Sequence, residues 1–409
     1  LTKQAKARMT NERWLLPAGI DEILPREAEE LEGLRRALLD LYASWGYELV
    51  IPPFIDYLES LLTGTGRDLD LKTFKLTDQL SGRLLGVRAD MTPQVARIDA
   101  HQLRRDAPPR LCYLGTVLHT RTDALAGSRS PLQIGAEIYG HDGVESDVEV
   151  LRLILATLDA AGVESAYIDL GHVGIYRGLA RQAGLHRAAE MSLFEALQRK
   201  ATAEVADLIE RYAIAPRIGD MLLALPELDG SNALGRAEQA LAEAHDSVHL
   251  AIGRLREVAA ETHRWLPRLP IHFDLAELRG YTYKTGVVFA AFVPGWGLEI
   301  ARGGRYDHIG EVFGRARPAV GFSSDLKGLI GLSRRPAIDE PVRDGVLAPW
   351  DADPALQAEV ERLRAAGRKV LQHLPGQRLD HRALGCSHRL QRDGDLWRLL
   401  AISEDGARE

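Results

Sequence analysis

Across residues 25 to 45 the apolar side chains Leu31, Leu34, Leu38, Leu39, Leu41 and Tyr42 recur at three-and-four spacing, and Gly46 stops the pattern. An amphipathic helix is predicted there. Residues 47 to 51 are a short apolar run cut off by Pro52-Pro53, as an edge or interface strand would be. Residues 72 to 77 and 84 to 88, around a Ser81-Gly82 turn, predict a hairpin, and Thr92-Pro93 reads as the cap and first position of a helix through His101. Residues 111 to 119 and 132 to 139 form another strand pair around a Gly/Ser/Arg loop, and residues 144 to 161 return to helix. The expectation is an α+β fold, antiparallel sheet flanked by helices.

From 188 to 265 the pattern is helical and rich in Ala, Glu and Leu, broken at Pro226, Gly230 and Asn232, which predicts a helical insertion. Strand signals resume at 271 to 275, 287 to 293 and 298 to 301, and a helix is expected over 318 to 332. Residues 336 to 343 read as a linker by their proline and charge content. Beyond it lie a strand at 345 to 349, a helix at 355 to 366, a strand at 369 to 374 and a hairpin from 388 to 401 around Asp393-Gly394. The expected organisation is a tail over 1 to 8, a core over 9 to 335 and a small C-terminal α/β domain over 345 to 409.

Composition narrows the class. The 409 residues are 45% hydrophobic and 27% charged, which fits a soluble globular chain long enough for more than one core. The two cysteines, Cys112 and Cys386, lie far apart and show no metal-ligand spacing, which predicts a reducing compartment and no cysteine zinc site. No run of 18 apolar residues exists, so no membrane span is expected and a cytoplasmic location follows. A net charge of -7 argues against a nucleic-acid partner, although Arg302, Arg305, Arg315, Arg317, Lys327, Arg334 and Arg335 form a local basic set, read as a solvated face.

Three clusters carry candidate chemistry. Arg88-Ala-Asp-Met-Thr92 reads as a strand end that places Asp90 and Thr92 on one face. Gln133 and Glu137, four apart on a strand, again share a face. The Gly-bounded turn from Arg279 to Gly286 carries a cation and the phenols Tyr281 and Tyr283. Carboxylates, an amide and an arginine suit a zwitterionic amino acid, acids for the amine and arginine for the carboxylate. Gly303-Gly-Arg-Tyr-Asp307 lacks the spacing of a phosphate-cradling loop and reads as a tight turn, and His101, His119, His172 and His308 form no metal-binding pair, so neither metal nor cofactor is expected.

Over roughly residues 14 to 333 this ordered set resembles the catalytic core of histidyl-tRNA synthetase, a class II synthetase. The resemblance rests on Trp45-Gly-Tyr-Glu with Pro52-Pro53 (motif 1), Phe74 to Arg88, Gln133 to Glu137, Arg279-Gly-x-x-Tyr283-x-Thr-Gly286, Gly303-Gly-Arg-Tyr-Asp307 and Pro318-Ala-Val-Gly-Phe322. It implies an amino-acid pocket in which Asp90 (Glu in the family), Thr92 and Gln133 hold the α-amine, Arg279 the carboxylate, and Glu137 with Tyr283 the imidazole. It also implies a homodimer through motif 1. Lys284 stands where the synthetases have a second tyrosine.

The departures fall on the phosphate side. His119 occupies the motif 2 arginine position, Arg121 the position of a glutamate, Gly328 the motif 3 arginine position, and Asp325 a glycine position. Losing one transition-state donor typically costs roughly 3 to 4 kcal/mol, so aminoacylation chemistry is not expected. The C-terminal region is shorter than the anticodon-binding domain of that family. A synthetase-like chain that keeps the histidine pocket is similar to the regulatory-subunit family of ATP phosphoribosyltransferase. That resemblance implies a short-form catalytic subunit as partner in a hetero-oligomer, and histidine as feedback effector. The alternatives are a histidine-activating ligase for a non-tRNA acceptor and a tRNA-sensing pseudo-synthetase.

Overall fold

The computed structural model describes residues 14–63, 67–122, 128–333, 344–376, 380–381 and 384–402. The expected tail over 1 to 8, the linker over 336 to 343, and Arg334 and Arg335 lie outside the described residues. The chain forms two compact units, Leu1–Ser333 and Arg334–Glu409.

The strands of the first unit are β1 (Glu48–Leu49), β2 (Ile55–Tyr57), β3 (Phe74–Thr77), β4 (Leu84–Val87), β5 (Arg110–Thr116), β6 (Leu132–Tyr139), β7 (Tyr167–His172), β8 (Asp229–Gly230), β9 (Ile271–Asp274), β10 (Val287–Phe292), β11 (Ala301–Arg305) and β12 (Ala319–Asp325). One sheet has the order β1-β5-β6-β12-β11-β10-β7-β9-β8, and a small one the order β2-β4-β3. The large sheet is antiparallel except where β1 pairs with β5 and β7 with β9. The hairpin β3–β4 and the pair β5–β6 form as the alternation predicts.

Because side chains alternate across a pleated strand, the register separates two faces. On one, Cys112, Ile134, Ala136, Ile138, Val320, Phe322, Phe289 and Leu170 join a single apolar core. The Pro25–Ser44 helix lays Leu31, Leu34, Leu38 and Tyr42 on it. The Val144–Ala161 helix packs beside it, and the Tyr42 hydroxyl meets Thr157 Oγ1 at 3.0 Å. Burying each such leucine stabilises the fold by roughly 1.5–3 kcal/mol. On the other face the pairs Tyr113–Gly135, Glu137–Gly321 and Gly321–Gly304 lie side by side. Polar side chains and glycines replace the core, which leaves a cleft.

Four expectations need correction. Residues 319 to 325 are strand, and the helix begins only at Leu326. Flanked by β6 and β11, this segment is buried on both sides, and sheet pairing overrides its helical look. The strand expected at 298 to 301 runs instead over Ala301–Arg305, so Gly303 and Gly304 belong to a central strand and not to a tight turn. Asp90 and Thr92 lie past the end of β4: Met91 is the N-cap position and Thr92 the first helical residue, whose amide donates to Asp90 Oδ1 at 3.0 Å. The basic set is not one solvated face. Arg305 is buried against Asp147 at 2.7 Å, Arg317 against Asp99 at 3.5 Å, while Arg315 meets Asp106 and Arg302 meets Glu299.

The segment from 187 to 265 is helical as expected, with the two-residue β8 inside it. In the second unit, β13 (Gly345–Ala348), β14 (Val370–Gln372), β15 (Cys386–Asp393) and β16 (Leu396–Ala401) take the order β14-β13-β15-β16. The Pro354–Ala365 helix covers this sheet with Leu356, Val360 and Leu363. Asp353 caps it through the Ala355 amide at 2.9 Å and accepts from Trp397 Nε1 at 2.8 Å. Among the described residues no helix is long and apolar enough to cross a membrane.

His172 ends β7 and caps the following helix, its Nδ1 accepting from the Gly174 amide at 3.0 Å, a role open only to the neutral ring. Burial, reinforced by Arg254, Arg177 and Arg305, lowers its pKa to about 4. A depressed histidine contributes stability that is present above about pH 6.5 and lost as pH falls toward 4. Urea unfolding at pH 7 and pH 5 should show about 2 kcal/mol of acid destabilisation from this group, and His172→Asn, which keeps a cap, should flatten the curve by that amount.

Candidate functional site

The cleft lies over β6, β12 and β11 and is closed by the turn that bears Arg279 and Lys284. Gln133 and Glu137 rise from β6 on the same face, and both are buried. Gln133 links the cleft to the β4 exit: its Oε1 accepts from the Met91 amide at 3.0 Å and its Nε2 donates to Asp90 Oδ1 at 2.9 Å. Asp90 Oδ1 thus accepts from two donors, Gln133 Nε2 and the Thr92 amide. Glu137 Oε1 accepts from the Tyr113 hydroxyl at 2.9 Å and from Thr92 Oγ1 at 3.2 Å. Its Oε2 is buried and has no hydrogen-bond partner among the described residues.

That orphaned oxygen sits against Gly321, where a Cβ would collide with it and would lie 2.6 Å from the Ala136 carbonyl oxygen. Burial, with the nearby Asp90, raises the Glu137 pKa well above the usual carboxylate value, while Tyr113, Thr92 and Lys284 pull it down. An unpaired buried acceptor of this kind is costly, which makes this oxygen the candidate contact of the site.

The turn is fixed from outside. Arg177 Nη2 donates to the carbonyls of Tyr281 and Lys284 at 3.0 and 3.1 Å. The Tyr281 ring stacks on Phe194 with centroids 5.1 Å apart, and its hydroxyl donates to Glu190. The helical insertion thus clamps the turn that carries three cleft residues. Tyr283 points inward, and burial pushes its phenol up to about 12, so it stays a neutral donor. Arg279 is already engaged, by Glu299 and by Glu277 at 3.4 Å, and remains 40% exposed. Burial pushes Glu299 upward, but Arg279 and Arg302 outweigh it and hold its carboxyl below the usual value.

The structure therefore brings Asp90, Thr92, Gln133 and Glu137 into one bonded cluster. Arg279 and Tyr283 come to the same cleft, where Lys284 lies within electrostatic reach of Asp90, Glu277, Arg279 and Arg302. Tyr113 is a cleft residue that the sequence reading missed, because only the β5–β6 register, which sets it opposite Gly135, reveals it. Arg88, grouped with Asp90 in sequence, is a latch: it donates to Pro52 O at 2.7 Å and Thr116 O at 2.9 Å.

The positions that depart from the synthetases lie toward the far end of β12. His119 Nε2 lies 2.9 Å from Ala89 O, and Arg121 is exposed. Asp325 Oδ1 accepts from the amides of Leu132 at 2.9 Å and Lys327 at 3.2 Å, and Gly328 lies beside its Cβ. Burial raises the Asp325 pKa. Among the described residues no group of three or more His, Cys, Asp or Glu side chains could hold a metal ion.

Sheet, cleft and insertion define a protein of the histidyl-tRNA synthetase class, and the family model for histidyl-tRNA synthetase matches residues 19–329. A second model, the ATP phosphoribosyltransferase subunit HisZ C-terminal domain, matches residues 343–400. The ATP phosphoribosyltransferase regulatory subunit of Alkalilimnicola ehrlichii is 60% identical over 383 residues, which cover 93% of this chain and 95% of the relative. That of Thioalkalivibrio sulfidiphilus is 58% identical, with 93% and 96% covered. The crystal structure of an ATP phosphoribosyltransferase regulatory subunit/histidyl-tRNA synthetase from Bacillus halodurans superposes with a TM-score of 0.79 at 24% identity, covering 91% of this chain and 95% of that one. The chain belongs to the family of ATP phosphoribosyltransferase regulatory subunits.

The glycine floor gives a direct check. Gly321→Ala forces the Glu137 carboxyl and the β6 backbone away, and overpacking of this kind costs roughly 1–3 kcal/mol. A urea midpoint shift of that size is expected, whereas Gly331→Ala, where a Cβ meets nothing within 4 Å, should leave the midpoint unchanged or raised.

Proposed function

We infer that this chain is a non-catalytic subunit that completes the active assembly of a short-form ATP phosphoribosyltransferase in the cytoplasm, and that histidine in the cleft shifts this assembly to a less active state. The observation that carries the reading is the cleft itself. A buried carboxylate with a vacant acceptor, an Asp–Gln pair and an arginine together suit a zwitterionic amino acid with a polar ring. In this arrangement Asp90, Thr92 and Gln133 meet the α-amine, Glu137 and Tyr283 the imidazole, and Arg279 the carboxylate, sharing its guanidinium with Glu299. Charge-assisted hydrogen bonds of this kind contribute roughly 1.5–3 kcal/mol each, enough for micromolar affinity after the costs of association.

Support for a non-catalytic role comes from the other end of β12. By the resemblance, Asp325, Gly328 and His119 stand at positions where a synthetase has glycine and arginines; Asp325 accepts from the Leu132 and Lys327 amides, and His119 Nε2 lies 2.9 Å from Ala89 O. Support for a homodimer through motif 1 comes from the edge strand β1 and the segment after it, where Leu49, Ile51 and Phe54 stand exposed, Ile51 to 80%.

Mixing the purified chain with the short catalytic subunit should raise its phosphoribosyl-transfer turnover, and added histidine should lower it, with a coupling of about 1–3 kcal/mol. Unchanged turnover would contradict the reading, and pyrophosphate exchange with histidine and ATP would favour a ligase instead. Ile51→Asp should move the free chain from dimer toward monomer in analytical ultracentrifugation; an unaltered dimer would place the contact elsewhere.

A further inference from the structure

Lys284 is 7% exposed, and its ammonium donates to Gly303 O. No other acceptor meets it among the described residues, although an ammonium carries three N–H donors. Its stem crosses β11: Cδ lies 3.3 Å from where a Cβ on Gly304 would stand. Gly304 faces Gly321 across the β11–β12 ladder, and the Glu137 carboxyl lies against Gly321. Neighbouring strands are roughly 5 Å apart, so ammonium and carboxyl rise over adjacent glycines on one face of the sheet. They form no ion pair among the described residues, and Glu137 Oε2 has no partner. A ligand that brings one donor and one acceptor would satisfy both groups.

We propose that Lys284 is a specificity-determining residue that makes the cleft select the neutral imidazole of histidine. The ring N–H donates to Glu137 Oε2, and the ammonium of Lys284 donates to the unprotonated ring nitrogen. This rests on the histidine reading above and adds the protonation state and the second hydrogen bond. A protonated ring offers no lone pair to Lys284 and sets a second cation beside it, so imidazolium is disfavoured twice. The charges facing Lys284 are Glu277, Arg302, Arg279 and Asp90 along with Glu137. Burial brings the ammonium down to about 8, and it remains charged at neutral pH. Binding is therefore bounded on the acid side by the ring, which titrates near about 6.5, together with protonation of the raised Glu137 carboxyl, and on the alkaline side by Lys284.

Calorimetry of the full chain with L-histidine and with its two ring-N-methyl isomers, from pH 5.5 to 9, tests this, alongside Lys284→Met checked for its thermal transition. The wild type should bind histidine most tightly between about pH 6.5 and 8, weakening about tenfold per unit below the ring pKa. Both methyl isomers should bind at least about tenfold more weakly, since each blocks one of the two ring contacts. In Lys284→Met the acid limb should move to lower pH and the alkaline limb near 8 should flatten. An unchanged pH profile in the variant, or a methyl isomer that binds as tightly as histidine, overturns the role of Lys284 and leaves the histidine reading standing. No histidine binding by the wild type at any pH overturns both. If the variant does not fold, the methyl isomers on the wild type decide.

Discussion

The cleft depends on one constraint: a carboxyl group is buried in the middle of a sheet face, and the strand beside it must be bare at that point. Glu137 is 1% exposed, and Gly321, its ladder partner, is the residue that leaves it room. Tyr113 and Thr92 satisfy one oxygen and hold it in place. The second oxygen is buried and has no hydrogen-bond partner among the described residues. Around this point the same logic repeats, with Gly135 under the Tyr113 hydroxyl and Gly304 under the Lys284 stem. A sheet whose far face is a packed apolar core thus carries a rigid polar trough on its near face.

Rigidity on the near side is supplied by elements distant in sequence. Gln133 ties β6 to the turn at Asp90, the helical insertion grips Tyr281 of the turn from 279 to 286 through Glu190 and Phe194, and Arg177 of the preceding Val173–Gln182 helix holds two of its carbonyls. The turn that carries Arg279, Tyr283 and Lys284 is therefore packed directly against the insertion. On the far face the buried pair Asp147–Arg305 holds the helix to the sheet, since Arg305 also donates to the carbonyls of His141 and Gly143 and pins the start of the Val144–Ala161 helix.

Much of this was legible in the sequence where local pattern and tertiary structure agree. The Pro25–Ser44 and Val144–Ala161 helices, the β3–β4 hairpin and the shared face of Gln133 and Glu137 all follow from periodicity. What was misread sits at the centre of the sheet. Residues 301 to 305, where Gly303-Gly304 looks like a turn, and residues 319 to 325, buried or half-buried throughout, lack the alternation that marks a half-exposed strand, so their sequence reads as turn and helix. Of that glycine pair, Gly304 belongs to the floor of the cleft, while Gly303 faces Phe289 in the core. Asp90 and Thr92 were grouped correctly but assigned to a strand, because a capping aspartate two residues ahead of a helix has the same spacing as two positions on one strand face. Tyr113 and Glu299, the distant acid partner of Arg279, leave no local signal, since one is set by the β5–β6 ladder and the other lies 20 positions from the arginine.

The most direct test of the central claim, that a glycine-floored carboxyl recognises histidine, is calorimetric titration of the purified chain with L-histidine at neutral pH beside Glu137→Gln, which keeps the shape and removes the charge. Micromolar binding by the wild type and at least about a tenfold loss in the variant are the expected result. No heat from the wild type up to millimolar histidine, or equal affinity in the two proteins, would contradict it.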